Sequence, residues 1–228
     1  MEKKKILTFS FDDNEDYDRR LCELFRKYNI KATFFLISGE LAWVWENYVR
    51  MGEVTTITRV SPEEIKDTYK GMEVASHTDH HKFRQESVQT DIIDSAKYLS
   101  ELCGYEVTGF AYPGGEYKDG DDKVLEKAGI KYGRTADCTH NFSLPENWYY
   151  WHPTCAYLDE DLEKLADEFL AYDGEDVALF NIYGHSYELS VKQFGREFDY
   201  LEKFLQKIAN RDDVLYATYS EIADMYKK

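Results

Sequence analysis

The residues able to do chemistry fall into a few short clusters. Asp12 and Asp13 follow the apolar run Ile6 to Phe11, and His77 and His81 stand four apart directly after Val74-Ala75-Ser76. That spacing puts two imidazoles on the same side of a helical turn or tight loop. Two histidines and one carboxylate make a three-ligand set with a position left for water, the pattern of a catalytic metal rather than a structural one. Adjacent residues at a strand end point in different directions, so one carboxylate could hold the metal while the other stays free as a base. His185 ends a run that opens with Val177-Ala178-Leu179-Phe180 and would be carried to the same place. Each signal also has a plainer reading. Histidines at this spacing can be structural or solvated, paired aspartates can cap a helix, and His185 can be a satisfied core residue. Thr78 stands where a glutamate would make the H-E-x-x-H metalloprotease pattern, so that pattern is absent. The set could also hold ferrous iron, but oxygenase chemistry has no need of Asp12 and His185 as base and acid. What carries weight is the coincidence of acid, base and metal ligands.

Those clusters sit where an alternation of strands and helices would place them. Strands are expected at Ile6–Phe11, Ala32–Ile37, Glu73–Ser76, Thr108–Tyr112, Ile130–Arg134, Val177–Tyr183 and Val214–Thr218. Between them lie helical patterns. Leu21, Leu24, Phe25 and Tyr28 share one face; Val88, Ile92, Ala96, Leu99 and Leu102 mark another helix, stopped at Gly104. Further helices are expected at Lys123–Ala128, around Leu162–Phe169, along Phe194–Ile208, and from Ser220. Ser61-Pro62-Glu63-Glu64 combines an N-cap serine, a first-turn proline and a capping-box glutamate, and so starts a helix that ends near Gly71. Repeated strand–helix units mean a parallel sheet with helices outside. About seven of them in 228 residues predict an α/β fold, a reduced and irregular (β/α) barrel, rather than an open doubly wound sheet. No G-x-G-x-x-G follows the first strand to support the open sheet. In such a barrel, functional residues lie just past the carboxyl ends of strands. Asp12-Asp13, His77 to His81, Tyr112-Pro113-Gly114-Gly115, Arg134 and Tyr183-Gly184-His185 all do.

The composition narrows the partners. Against 28 Lys and Arg stand 44 Asp and Glu, a formal charge of −16 that excludes nucleic acid and anionic membrane surfaces. At 16% aromatic the chain is too rich for a disordered acidic segment, and it suits a neutral, ring-shaped ligand. The basic opening Met1-Glu2-Lys3-Lys4-Lys5 is followed by only six apolar-rich residues before Asp12, too few for a signal peptide, so the cytoplasm is the expected location. Cys22, Cys103, Cys138 and Cys155 form no C-x-x-C pair and are expected to be reduced and buried. Without linkers or repeats, residues 1–228 read as one catalytic domain.

Three motifs in order resemble a known family. Phe9-Ser10-Phe11-Asp12-Asp13 with Ala32-Thr33-Phe34-Phe35, then Glu73-Val74-Ala75-Ser76-His77-Thr78-x-x-His81, then Phe110-Ala111-Tyr112-Pro113-Gly114, are similar to the polysaccharide deacetylases of NodB-homology type. With His185 the resemblance spans nearly the whole chain. It implies a deformed (β/α) barrel that hydrolyses acetyl groups from N-acetylated, sometimes O-acetylated, sugars. The implied cofactor is a divalent metal, zinc first, with cobalt, nickel or manganese as alternatives. Carried over by position, Asp12 would be the general base and Asp13, His77 and His81 the metal ligands. Thr78 would steady the metal loop, His185 would be the general acid, and a backbone N–H of the Pro113-Gly114-Gly115 turn would stabilise the oxyanion. Tyr112, Pro113, Gly114, Tyr183 and Trp151 would meet the acetylated saccharide; Trp151 alternatively packs in the core.

The departures from the family are specific. Ala111 occupies the place of an arginine that positions the base, and Arg134 at the end of the next strand is the expected replacement, with a structural ion pair as its other reading. Gly114 replaces an aromatic residue, Asn14 replaces a glycine, and Tyr183-Gly184-His185 replaces Leu-x-His. His80, His140, His152 and Glu188 receive no role. Besides the deacetylase, two other functions fit: a non-catalytic sugar-binding relative, motivated by Ala111 and Gly114, and a deacylase or amidohydrolase of small non-sugar amides.

Overall fold

The computed structural model describes residues 4–227, so Met1, Glu2 and Lys3 of the basic opening lie outside them. The elements in order are β1 (Lys5–Asp12), α1 (Asp18–Lys27), β2 (Ala32–Leu36), β3 (Val44–Arg50), β4 (Glu53–Thr58), α2 (Ile65–Thr68) and β5 (Glu73–Ser76). There follow α3 (Ser95–Cys103), β6 (Gly109–Ala111), α4 (Asp121–Lys127), β7 (Tyr132–Arg134), β8 (Cys155–Ala156) and α5 (Leu162–Ala171). The remainder is β9 (Ala178–His185), α6 (Phe198–Ile208), β10 (Val214–Tyr216) and α7 (Tyr219–Tyr226).

The main sheet runs β7-β6-β5-β2-β1-β9-β8, with β10 also beside β1, and every pairing in it is parallel. β1 is its centre. One edge pairs with β9 from Lys5–Ala178 to Asp12–His185. The other edge is divided, β10 meeting Lys5 to Leu7 and β2 meeting Phe9 to Asp12. The sheet curls far enough for its ends to meet. A parallel bridge joins Arg134 to Trp151, Trp151 N–H donates to the Gly133 carbonyl at 2.8 Å, and the chain then runs on into β8. The result is the expected deformed (β/α) barrel, with eight parallel strands because the two-residue β8 adds to the seven foreseen.

Alternation along each strand divides two cores. Leu7, Phe9, Phe11, Phe34, Val74, Phe110, Phe180 and Ile182 face outward and are buried beneath helices through Leu21, Phe25, Leu99, Leu201 and Leu205. Ile6, Phe35, Ala75, Ala111, Tyr132 and Leu179 face inward, where Trp151 joins them and Tyr219, Ile222 and Ala223 of α7 fill the space. Several polar groups inside are paired, as burial favours. Tyr219 donates its hydroxyl to Asn181 Oδ1 at 2.6 Å, and Glu73 accepts from Thr33 at 2.8 Å, from Tyr132 at 2.7 Å and from Ser220.

Some local expectations change. The stretch between β2 and α2 holds an antiparallel hairpin, β3–β4, that the strand–helix rhythm did not suggest. Its turn, Met51-Gly52, has φ of 51° and 82°, the double left-handed geometry that matches strand twist. The capping box at Ser61 is present but leads only to a 3₁₀ turn and the single turn of α2. α7 starts one residue before the expected Ser220, with Thr218 as its cap accepting the Glu221 N–H, and the Ser220 hydroxyl goes to Glu73. All four cysteines are free, and Cys138 is exposed rather than buried. Among the described residues no helix is long and apolar enough to cross a membrane.

Candidate active site

β1 delivers Asp12 to the carboxyl-end rim on the inward face, two steps beyond Ser10. β7 delivers Arg134 to the same face. Arg134 Nη2 reaches both carboxylate oxygens of Asp12, and the two side chains are only 1% and 5% exposed. Ala111 and Arg134 are register partners on β6 and β7, so the guanidinium has moved sideways by one strand from the place where the family resemblance put it. The guanidinium carbon lies 5.0 Å from the Tyr183 ring and 5.2 Å from the Phe35 ring, which hold it between two aromatic faces. Burial alone would raise the Asp12 pKa, but Arg134, with His77 and His185 nearby, outweighs it and holds the carboxyl below its ordinary value.

Asp13 turns away from Asp12 because its backbone is left-handed, with φ of 77°. Its Oδ1 lies 3.8 Å from His77 Nε2 and 3.6 Å from His81 Nε2. This oxygen is buried and has no hydrogen-bond partner. His77 Nδ1 is 2.9 Å from the Ala111 carbonyl, which can only accept, so Nδ1 carries the proton and Nε2 turns its lone pair towards Asp13. Burial drives the His77 pKa down to about 4 despite Asp12 and Asp13, so its imidazole is neutral, as a ligand must be. Among the described residues, Asp13, His77 and His81 are the group whose donor atoms all lie within 4.8 Å of one another. Ligands bound at roughly 2.1 Å to a tetrahedral ion stand roughly 3.4 Å apart, only a few tenths less than the spacings here. An orphaned oxygen, a fixed lone pair and this spacing fit a divalent cation.

The loops that carry these three residues have a distinctive backbone. Thr78 and His81 are left-handed, at φ of 68° and 52°, and Thr78 Oγ1 accepts the Lys82 N–H at 3.1 Å. Asn14, standing where a glycine was expected, is also left-handed at φ of 43° and accepts the Ile37 N–H through Oδ1 at 2.9 Å. Asparagine tolerates that conformation and here adds a tie to the end of β2.

His185 lies opposite Asp12 in the β1–β9 register. Its Nδ1 is 3.0 Å from Glu188 Oε1. Burial would depress the His185 pKa, but Glu188, Asp12 and Asp13 together push it up to about 9. Glu188 receives no role from the sequence, and the local signal for one is His185-x-x-Glu188, three residues apart across a turn. Gly184 belongs to the same device, since a Cβ there would come within 2.8 Å of Glu188 Oε2.

Other expected residues divide. Gly114 is exposed at the rim with φ of 64°, and the Gly115 N–H donates to the Tyr112 carbonyl at 2.9 Å. Tyr183 is half-buried and lies against Arg134. Pro113 is buried. Tyr112 and Trp151 do not line a groove. Tyr112 faces outward into a cluster with Phe83, Phe110, Tyr117 and Tyr150, and Trp151 is 1% exposed with its ring 4.2 Å from that of Tyr219. For Trp151, core packing is the reading its surroundings support. His80 pairs with Asp79, His140 with Asp159, and His152 Nδ1 lies 2.6 Å from the Thr135 hydroxyl, so none joins the metal-type cluster. A groove of about 990 Å³ is bordered by His80, Lys82, Arg84, Glu116 and Lys118.

Residues 1–133 match the family model described as polysaccharide deacetylase. A poly-β-1,6-N-acetyl-D-glucosamine N-deacetylase of Staphylococcus aureus is 26% identical over 188 residues, covering 76% of this chain and 61% of its own length. A peptidoglycan-N-acetylglucosamine deacetylase of Bacillus cereus is 28% identical over 135 residues, covering 56% of this chain and 55% of its own. The chain therefore spans less than two thirds of either relative. Among solved structures, a putative polysaccharide deacetylase from Mycobacterium smegmatis superposes with a TM-score of 0.65 at 16% identity, over 99% of this chain and 91% of that one. A family 4 acetyl xylan esterase from Clostridium thermocellum, solved with a cobalt ion, gives 0.55 at 16% identity over 96% and 91%. At such identities the structures share the fold.

Proposed function

This chain belongs to the polysaccharide deacetylase family, and from that membership we propose that it hydrolyses the acetamido group of N-acetylated sugars, releasing acetate and a free amine. The observation that carries the proposal is the separation of three tasks at one rim. Asp13, His77 and His81 offer a metal-type ligand set, Asp12 is a distinct carboxylate gripped by Arg134, and His185 is a distinct, protonated imidazole.

Asp13, His77 and His81 would hold the ion, and two imidazoles with one carboxylate suit zinc, with cobalt, nickel or manganese sharing the preference. Bound there, a divalent cation supplies Lewis-acid polarisation of the acetyl carbonyl and acidifies water. The remaining work falls to the chain. Asp12, ionised at neutral pH, takes a proton from the water that attacks the carbonyl carbon. Its Oδ2 is 3.8 Å from His77 Nε2, which sets base and ligand set side by side. Arg134 positions Asp12 and keeps it charged. Pro113 has no N–H and the Gly115 N–H is committed to Tyr112, so the Gly114 N–H is the donor proposed for the developing oxyanion. His185, charged below about pH 9, gives its proton to the sugar nitrogen as the C–N bond breaks. Base and acid have had their pKa values pushed apart by their surroundings, the condition for both to act at one pH.

Ala111 motivated a non-catalytic alternative, and the Arg134–Asp12 contact weighs against it, since the guanidinium is present from another strand. The substrate class favoured is a polysaccharide containing N-acetylglucosamine. The test is acetate release from N-acetylglucosamine oligomers by purified protein, with and without exhaustive chelation. Activity undiminished after complete metal removal would sink the mechanism.

A further inference from the structure

The β3–β4 hairpin carries aromatic side chains that lie outside both hydrophobic cores. Trp43 and Trp45 are 52% and 53% exposed, and their rings stack with centroids 6.3 Å apart and planes 30° apart. Tyr48 meets Trp45 edge-on at 4.9 Å. Register decides which way these rings look, because side chains alternate between the faces of a strand. Trp45 pairs with Ile57 and Tyr48 with Thr55, two residues apart on β4, while a bulge between Trp45 and Tyr48 absorbs the extra residue. The Trp43 carbonyl accepts the Arg59 N–H, two residues beyond Ile57. The three rings therefore share one face with Arg59 and Arg50.

That face is turned to the active-site rim. Arg59 donates to the Asp13 carbonyl and pairs with Glu40 at 2.9 Å. Arg50 grips Glu15 through hydrogen bonds of 2.6 and 3.1 Å and lies 3.7 Å over the Tyr187 ring, itself 5.3 Å from the His185 ring. Val44, Val49 and Val54 occupy the opposite face. Two stacked indoles open to solvent present a flat apolar surface with N–H groups at its edge. The C–H-rich face of a pyranose ring, edged by hydroxyls, complements such a surface. A net charge of −16 works against a second copy or an anionic lipid on that face and leaves a neutral acetylated sugar unaffected.

Resting on the deacetylase reading above, the geometry points to Trp43, Trp45 and Tyr48 as an accessory surface for sugar units next to the one being deacetylated, selecting polymers over single sugars. The test compares kcat/KM for an N-acetylglucosamine tetramer with that for the monosaccharide. The ratio is well above unity in the wild type and falls about tenfold in Trp45→Ala, the scale of one lost aromatic contact, chiefly through KM. Val49→Ser, on the opposite face, keeps the wild-type ratio. Titrating the same tetramer against wild-type protein quenches tryptophan fluorescence saturably, and the Trp43→Ala/Trp45→Ala double variant loses the response. An equal ratio in Trp45→Ala and wild type overturns the proposal, as does a wild-type chain whose fluorescence does not respond. So does self-association that depends on Trp43 and Trp45 without a saccharide response. Saturable quenching in a chain that releases no acetate supports the surface while counting against the proposed reaction, so the two readings fail separately.

Discussion

Arg134 and Asp12, 122 residues apart in sequence, form a buried ion pair in which one guanidinium nitrogen serves both carboxylate oxygens. The pair depends on closure of the barrel, since β7 reaches the far side of the sheet from β1 only round the curve. Breaking such a pair from one side leaves an uncompensated charge, which costs about 3–5 kcal/mol. A carboxylate so held is both oriented and kept ionised, as the base of the proposed reaction must be.

Arg134→Ala should therefore lower acetate release by about 100-fold, the share of a well-positioned base, while leaving metal content unchanged by elemental analysis. Because Ala111 and Arg134 are register partners, adding Ala111→Arg to that variant should recover part of the loss. Wild-type turnover in Arg134→Ala would remove Arg134 from the mechanism.

Asp13→Ala should abolish tight metal binding and acetate release together, with the fold retained by circular dichroism. The buried Asp13 Oδ1 has no hydrogen-bond partner, so losing it breaks no hydrogen bond in the chain itself. A variant that keeps one equivalent of metal after dialysis would show that other groups hold the ion.

Glu188→Gln should move the alkaline limb of the kcat–pH profile to lower pH by about one unit or more. The sign follows from the donor's charge. In the proposed reaction His185 acts in its protonated form, which is present below its raised pKa of about 9 and lost above it. Without the Glu188 carboxylate, burial pulls that pKa down and the donor is lost sooner. An unmoved alkaline limb would place the proton donor elsewhere.

Trp151→Ala should lower unfolding stability by about 3–5 kcal/mol by leaving a cavity among Tyr132, Trp148 and Tyr219. Chemical denaturation measures this. A variant of wild-type stability with impaired saccharide binding would return Trp151 to the groove.

The strands bearing Asp12, Ser76 and His185 were legible because buried parallel strands read as continuous apolar runs, and so the rim could be located. Arg134 was legible because the family resemblance leaves an arginine missing at Ala111 and Arg134 ends the next strand. Glu188 was not, because a carboxylate three residues past a histidine has no distinguishing pattern until the turn brings it back. The β3–β4 hairpin hid for a different reason. Its strands are exposed and broken by a bulge, so Trp43 to Arg50 shows neither a helical period nor a clean alternation. Tyr112 misled because its neighbours Pro113 and Gly114 do lie at the rim, while alternation sends its own side chain the other way.

The divided edge of β1 bears on how the chain acquires its structure. Lys5 to Leu7 need β10, and the Tyr219 hydroxyl lies 3.3 Å from Ser10 Oγ and bonds Asn181. The central strand is thus stitched to segments drawn from opposite ends of the polypeptide. Such remote pairing raises contact order and delays collapse into the finished form, since loop closure must precede the contacts that reward it. Until β10 and α7 dock, the interior wall lacks Tyr219, against which Trp151 packs, and Trp151 is the residue bridged to Arg134. Catalytic competence should therefore emerge as a late kinetic phase, after most helical signal has appeared.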